Sequence, residues 1–162
     1  MNHGTVEKLQ DTLKILIVLE VTMGEFYQTC SAIWPEDAHF WRDIGAQELQ
    51  HATYLKKMSD LIATSPDKFV LGRTFNPLAI NTVVAGIKQN IELIKSNALT
   101  KVKTLYVARD MEASALESRL DEIVKTDDLG FLEFASKIHG QTQKHKNSLN
   151  AKIAEFSSKT LP

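Results

Sequence analysis

Little in this sequence interrupts a helix, and little cross-links a fold. The 162 residues include one cysteine, four prolines and seven glycines. A lone Cys30 makes no internal disulfide. Without a Cys-x-x-Cys pair there is no thiolate zinc site and no rubredoxin-type iron site. The most apolar run, Ile15 to Leu19, falls far short of the roughly twenty residues a membrane span needs. The polar stretch from Met1 to Asp11 lacks the charged-then-apolar pattern of a signal peptide. A cytoplasmic location and no membrane partner are therefore expected. No stretch alternates at period two, so no sheet is expected. A charge excess is missing too: 19 basic residues face 20 acidic ones, a net charge of -1, which argues against nucleic acid as the main partner. What is left, 43% hydrophobic and 24% charged residues, is a globular balance. The length suits one domain over 1–162 with a substantial core.

What the chain does have is helical periodicity. From about Thr5 to Ile33, Leu9, Leu13, Leu16, Ile17, Val21 and Gly24 share a stripe that also contains Glu20 and Tyr27, and Pro35 ends it. A second helix from about Asp37 to Ala63 carries Trp41, Ile44, Glu48, His51, Leu55, Met58 and Ile62, and stops at Ser65-Pro66. Asp67 to Phe75 reads as a loop. Asn76-Pro77 reads as an N-cap with proline at the first helical position. Ile80, Val84, Ile87, Ile91 and Ile94 follow, with a break near Ser96 to Thr100. A further helix is expected from about Thr100 to Val124, through Leu105, Arg109, Glu112, Leu116 and Leu120. Thr126-Asp127-Asp128 supplies a turn and a cap. The last helix covers about Leu129 to Phe156, through Ile138, Thr142, His145 and Leu149. Short links join the first and last helix pairs, and a long link joins the middle. The expected fold is all-α: a four-helix bundle with one extra short helix in the long crossover.

Charge does not belong on a buried stripe. Here Glu20, Glu48 with His51, Glu112 and His145 intrude on four stripes, most of them near mid-helix. Glu48 and His51 are three residues apart, so both side chains lie on one face. Carboxylate oxygens mixed with imidazole nitrogens suit iron, with manganese or zinc admitted by the same donors. Burying several carboxylates without a cation costs several kcal/mol each or forces protonation. The chain also repeats itself weakly. Glu20-Val-Thr-Met aligns with Glu112-Ala-Ser-Ala, and Ile44-Gly-Ala-Gln-Glu-Leu-Gln-His51 with Ile138-His-Gly-Gln-Thr-Gln-Lys-His145. Two hairpins, each with a mid-helix glutamate and then Glu/Thr-x-x-His, would pack with these residues facing each other.

On these residues the chain resembles the ferritin-like superfamily, and within it the rubrerythrin branch. Glu20 with Tyr27 seven residues on is similar to that family's first-helix motif. Ala46-Gln-Glu48-Leu-Gln-His51-Ala52 is similar to its second-helix motif, and Ala108-Arg-Asp-Met-Glu112-Ala-Ser-Ala to its third-helix segment. The resemblance implies a di-iron site that reacts with dioxygen or peroxide. The chain departs from the pattern at Thr142, where a glutamate is expected, and at Arg119, where a tyrosine is expected. It also has no cysteine-rich electron-transfer module.

Two readings of the buried charges stand side by side. In the first, Glu20, Glu48, His51 and Glu112 hold one metal ion and His145 holds or borders a second. The protein then oxidises ferrous iron or reduces peroxide, drawing on an external electron donor. In the second, the bundle is metal-free or mononuclear and has a structural or binding role, with Arg109 facing inward to neutralise Glu20 or Glu48. Tyr27 is either core packing or a residue behind the ligands. A homodimer is the expected assembly.

Overall fold

The structure, a computed structural model, describes residues 3–114 and 119–159. Proline, with no amide hydrogen to donate, sets the first boundary. Pro35 opens a single 3-10 turn, Pro35–Asp37, directly after α1 (His3–Ile33), and the chain turns back into α2 (Ala38–Thr64). Contacts run in opposite order along the two helices. Glu20 meets His51, Gly24 meets Leu49, and Tyr27 meets Gly45. α1 and α2 are thus an antiparallel hairpin. Glycine lets them approach: a Cβ on Gly45 would lie 3.0 Å from Tyr27 Cβ, and one on Gly24 would lie 3.0 Å from Leu49 Cδ2.

α3 (Pro77–Lys95) begins as its sequence dictates, with Asn76 Oδ1 accepting from Leu78 N–H at 3.0 Å and Pro77 in the first turn. Its isoleucine face packs on α1. Leu19 and Met23 lie by Ile80 and Ile87, while Gln28 and Ala32 lie by Ile91 and Lys95, so α3 runs parallel to α1. The helix closes where Asn97 takes a left-handed φ of 56° and Ala98 N–H donates to the Leu93 carbonyl at 2.8 Å. α4 (Lys101–Ser114), α5 (Leu120–Ile123) and α6 (Leu129–Lys159) complete the six α-helices among the described residues. Asp128 starts α6 by accepting from Phe131 N–H at 3.1 Å.

Ion pairs fix the helix directions. Lys101 pairs with Glu36 at 2.8 Å and with Asp37, and Lys152 pairs with Asp37 at 2.7 Å. The starts of α2 and α4 and the end of α6 therefore gather at the 35–37 turn. α6 runs antiparallel to α2: Gln141 meets His51, His145 meets Gln47, and Phe134 stacks on Tyr54. One continuous apolar core, from Leu9 to Leu149, fills the space between the helices. None of the described helices is long and apolar enough to cross a membrane.

Three expectations are corrected. The chain is not free of sheet: β1 (Phe69–Leu71) pairs antiparallel with β2 (Val124–Thr126), Phe69 opposite Thr126. Phe69 is fully buried against Phe131, and Gly72 lies so close that a Cβ would meet the Glu122 carbonyl oxygen at 2.3 Å. The crossover helix is not short, since α3 has 19 residues against 14 for α4. The helix expected over 100–124 is not continuous. α4 ends at Ser114, α5 is one turn, and the pairing of Val124 with Leu71 takes the chain out of helix. Leu116, expected on the same stripe, lies outside the described residues.

The close α1–α2 approach makes Gly45 intolerant of bulk. Gly45→Val is expected to wedge the two helices apart and destabilise the fold by about 1–3 kcal/mol. Urea denaturation would measure the loss, and an unchanged midpoint would show that the helices have room to spare.

Candidate metal centre

Each helix of the two facing pairs delivers polar side chains into the apolar core. Glu20 comes from α1, Glu48 and His51 from α2, Glu112 from α4 and His145 from α6, and none is more than 2% exposed. They form two groups, Glu20/Glu48/His51 and Glu48/Glu112/His145, and within each group the ligand-type atoms lie within 4.8 Å of one another. Glu48 belongs to both. Its Oε2 is 3.2 Å from His51 Nδ1, and its Oε1 is 2.8 Å from His145 Nδ1. His51 Nδ1 is also 3.4 Å from Glu20 Oε2, and His145 Nδ1 is 3.4 Å from Glu112 Oε2. The two imidazoles stack across the centre with ring centroids 5.8 Å apart.

The outer nitrogens explain why Nδ1 points inward. His51 Nε2 lies 2.8 Å from Gln141 Oε1, and His145 Nε2 lies 3.0 Å from Gln47 Oε1. An amide oxygen only accepts, so each Nε2 carries the hydrogen and donates it, and each Nδ1 is left to face the carboxylates. Gln141 is itself oriented, because its Nε2 donates to Gln50 Oε1 at 3.2 Å. Gln47 and Gln141 were not singled out by the stripe pattern, since glutamine at a helix edge is unexceptional. Their signal lay in the internal repeat, where they occupy equivalent positions four residues before His51 and His145. Each holds the other repeat's histidine.

An imidazole lone pair cannot rest against carboxylate oxygens without a cation between them, whether a proton or a metal ion. His145 shows the demand. Burial lowers its basicity, but contacts with Glu112 and Glu48 outweigh this and raise its pKa to about 9. The carboxyls split. Burial raises Glu48, yet the close Glu20, His145 and His51 side chains win and hold it well below the usual range. Burial and the neighbouring Glu48 charge push Glu112 upward, against His145 and Tyr27. Glu48 Oε1, Glu112 Oε2, His145 Nδ1 and Thr142 Oγ1 are buried and make no hydrogen bond of adequate geometry, although the first three converge. Converging, under-satisfied oxygen and nitrogen donors fit a divalent cation.

Tyr27 packs in the core, and its hydroxyl donates to Glu112 Oε1 at 2.6 Å. Burial, with Glu112 and Glu48 close by, pushes its phenol well above the usual range. Thr142 sits buried where the repeat has Glu48. Two expectations are corrected. Glu112 groups with His145 rather than with Glu20 and His51. Arg109 does not face inward: its side chain is 39% exposed, binds Asp110 at 2.8 Å and lies over the Tyr106 ring. One turn from Glu112 still leaves it off the buried arc, which Leu105, Ala108 and Met111 complete. Among the described residues Glu48 and Glu112 pair with histidine, not with arginine or lysine.

No family model, curated protein or solved structure matches this chain. The chemistry of the cluster is therefore read from its own geometry.

The protonation pattern gives the metal-free protein a defined pH dependence. His145 has a folded pKa above its usual 6.5, so its contribution to stability is full below that pH and lost as pH rises through about 9. Glu48 has the opposite sign: its contribution is present above its usual 4.5 and lost as pH falls through its depressed folded value. Unfolding free energy is expected to fall by roughly 3 kcal/mol between pH 6.5 and 9 from His145 alone. Urea titrations across that range would test this, and His145→Gln should flatten the slope.

Proposed function

We propose that this protein is a ferritin-like, non-haem iron protein of the rubrerythrin type, which oxidises ferrous iron or reduces peroxide with electrons from an external donor. The observation that carries this reading is the position of Glu48. One buried carboxylate presents each of its oxygens to a separate Glu/His group, an arrangement suited to bridging two cations. Support for the fold comes from the helix directions. α1 and α6 run toward the 35–37 turn, α2 and α4 run away from it, and α3 carries the long crossover, a connectivity shared with ferritin-like bundles.

Glu20, Glu48 and His51 hold the first ion, and Glu48, Glu112 and His145 hold the second. The donor set is oxygen-rich with one imidazole per ion, which suits iron and also admits manganese and zinc. Bound iron would supply electrons to dioxygen or peroxide. The chain's own residues do the rest. Gln47 and Gln141 keep each histidine's Nδ1 aimed at the cluster. Tyr27 restrains Glu112, and the surrounding leucines and isoleucines exclude water. A homodimer and an external donor belong to the same proposal.

A second reading is favoured by Thr142. A hydroxyl is a poor substitute for a bridging carboxylate, so the second position is the weaker one, and a mononuclear centre is the runner-up.

Metal content after anaerobic loading with ferrous iron tests both. Near two irons per chain, lost in Glu48→Ala/His51→Ala, is the expected result. About one iron supports the mononuclear centre. No uptake, with thermal stability unchanged by iron, overturns the proposal. Thr142→Glu is expected to restore the bridging carboxylate and tighten the second binding step by about 10–100-fold, read by titration calorimetry. An unchanged second step would mean that Thr142 does not face the ion.

A further inference from the structure

A threonine inside a helix has a ready partner for its hydroxyl in the carbonyl one turn back. Seven other helical threonines of this chain use it, each donating to the carbonyl four residues earlier. Burial is no obstacle. Thr22 and Thr104 are 3% and 0% exposed, and they reach the Val18 and Thr100 carbonyls at 2.7 and 3.0 Å. Thr142 behaves differently. It is 1% exposed on α6, and its Oγ1 makes no hydrogen bond to backbone or side chain. Leaving a buried hydroxyl unpaired is costly, so such an atom marks the place of a missing partner.

The position of Thr142 says what kind of partner is missing. It stands one helical turn before His145, on the same face of α6. In the repeat it occupies the place of Glu48, one turn before His51. Glu48 Oε1, Glu112 Oε2 and His145 Nδ1, the atoms of the second metal position, are likewise buried without a hydrogen bond of adequate geometry. Exchanging glutamate for threonine takes away a carboxylate and leaves a hydroxyl. It also leaves charge unbalanced, because two divalent ions carry one positive charge more than the three carboxylates of the cluster offset. A small anion with its oxygens on one carbon answers both losses. It brings back a carboxylate with its charge, and a lone pair on one oxygen accepts from the threonine. Hydroxide would supply the charge but only one oxygen where the lost side chain supplied two.

We propose that the second metal position takes a one-carbon carboxylate from solution, bicarbonate or formate, which accepts a hydrogen bond from Thr142 Oγ1 and stands in for the glutamate expected there. The inference rests on the iron-binding reading. Thr142 is then a positioning residue for this anion. The anion and the second ion bind together, each raising the affinity for the other.

Calorimetric titration of ferrous iron under argon, in buffer stripped of carbon dioxide, reads the two iron-binding steps separately. Formate at about ten times its own dissociation constant is expected to tighten the second step about tenfold and to leave the first unchanged, while equimolar chloride changes neither. Infrared difference spectra of the iron-loaded protein with carbon-13 formate should show carboxylate stretches shifted from those of the free anion. Thr142→Val keeps the shape and removes the hydroxyl, and should weaken formate binding about tenfold. Thr142→Glu carries its own carboxylate and should lose the response to formate. Bicarbonate, in a second series at submillimolar concentration, should act in the same way. Tighter binding of bicarbonate than of formate assigns it as the natural occupant, and the reverse assigns formate. A second step indifferent to both anions overturns the proposal. So does a formate effect that survives Thr142→Glu or is undiminished in Thr142→Val. One iron per chain under every condition also overturns it, and leaves the mononuclear centre standing. No iron uptake at all overturns the proposed function, and this inference with it.

Discussion

Glu48 is the residue the rest of the structure must accommodate. It is a carboxylate held ionised in an apolar core, with an imidazole Nδ1 on either side. Removing a charge from water costs several kcal/mol even after relaxation, and only well-placed partners offset that. Here His51 comes from the same helix, Glu20 from α1 and His145 from α6. The spacing of those helices, the glycines that let α1 approach α2, and the direction of each histidine ring all follow from bringing those partners within reach. Glu112, across from Glu48, faces a harder problem: burial and that neighbouring charge push it toward its neutral form. A site whose carboxyls are driven apart in this way lacks positive charge.

The two glutamines turn that electrostatic requirement into a mechanical one. Gln47 and His51 lie on α2 and Gln141 and His145 on α6, and each glutamine holds the histidine of the other helix. Twisting either ring away from the centre would break its own bond and loosen the contact between the helices. Second-layer bonds of this kind fix which nitrogen is free as well as where it points. Positioning is thus built into the α2–α6 interface and does not depend on anything bound.

The cluster was legible because helical periodicity makes charge conspicuous on an apolar stripe. Glu20, Glu48, His51, Glu112 and His145 each interrupt one, and all five meet in the structure. The pairing among them was not legible, since it depends on how helices are rotated about their axes. Arg109 shows the limit: about 60° of helical rotation from Glu112, at three residues' spacing, separates a buried carboxylate from a surface ion pair. The ribbon was hidden for a different reason. Strands of three residues, Phe69–Leu71 and Val124–Thr126, are too short to alternate visibly, and they exist through tertiary pairing rather than local preference. The start of α3, by contrast, needed only Asn76 and Pro77.

Charge also bears on how many ions the centre favours. Three carboxylates and two histidines surround it. One divalent ion at Glu20, Glu48 and His51, with His145 protonated, would balance three ionised carboxylates, and without an ion His145 keeps its proton up to a pH of about 9. A second divalent ion must displace the proton and leaves one positive charge in excess, which calls for a small anion such as hydroxide between the ions. A glutamate at position 142 would have supplied that charge from the protein. With Thr142 in its place, full occupancy would depend on something from solution, so the half of the repeat that carries threonine is the half where a small oxygen-bearing molecule would be needed.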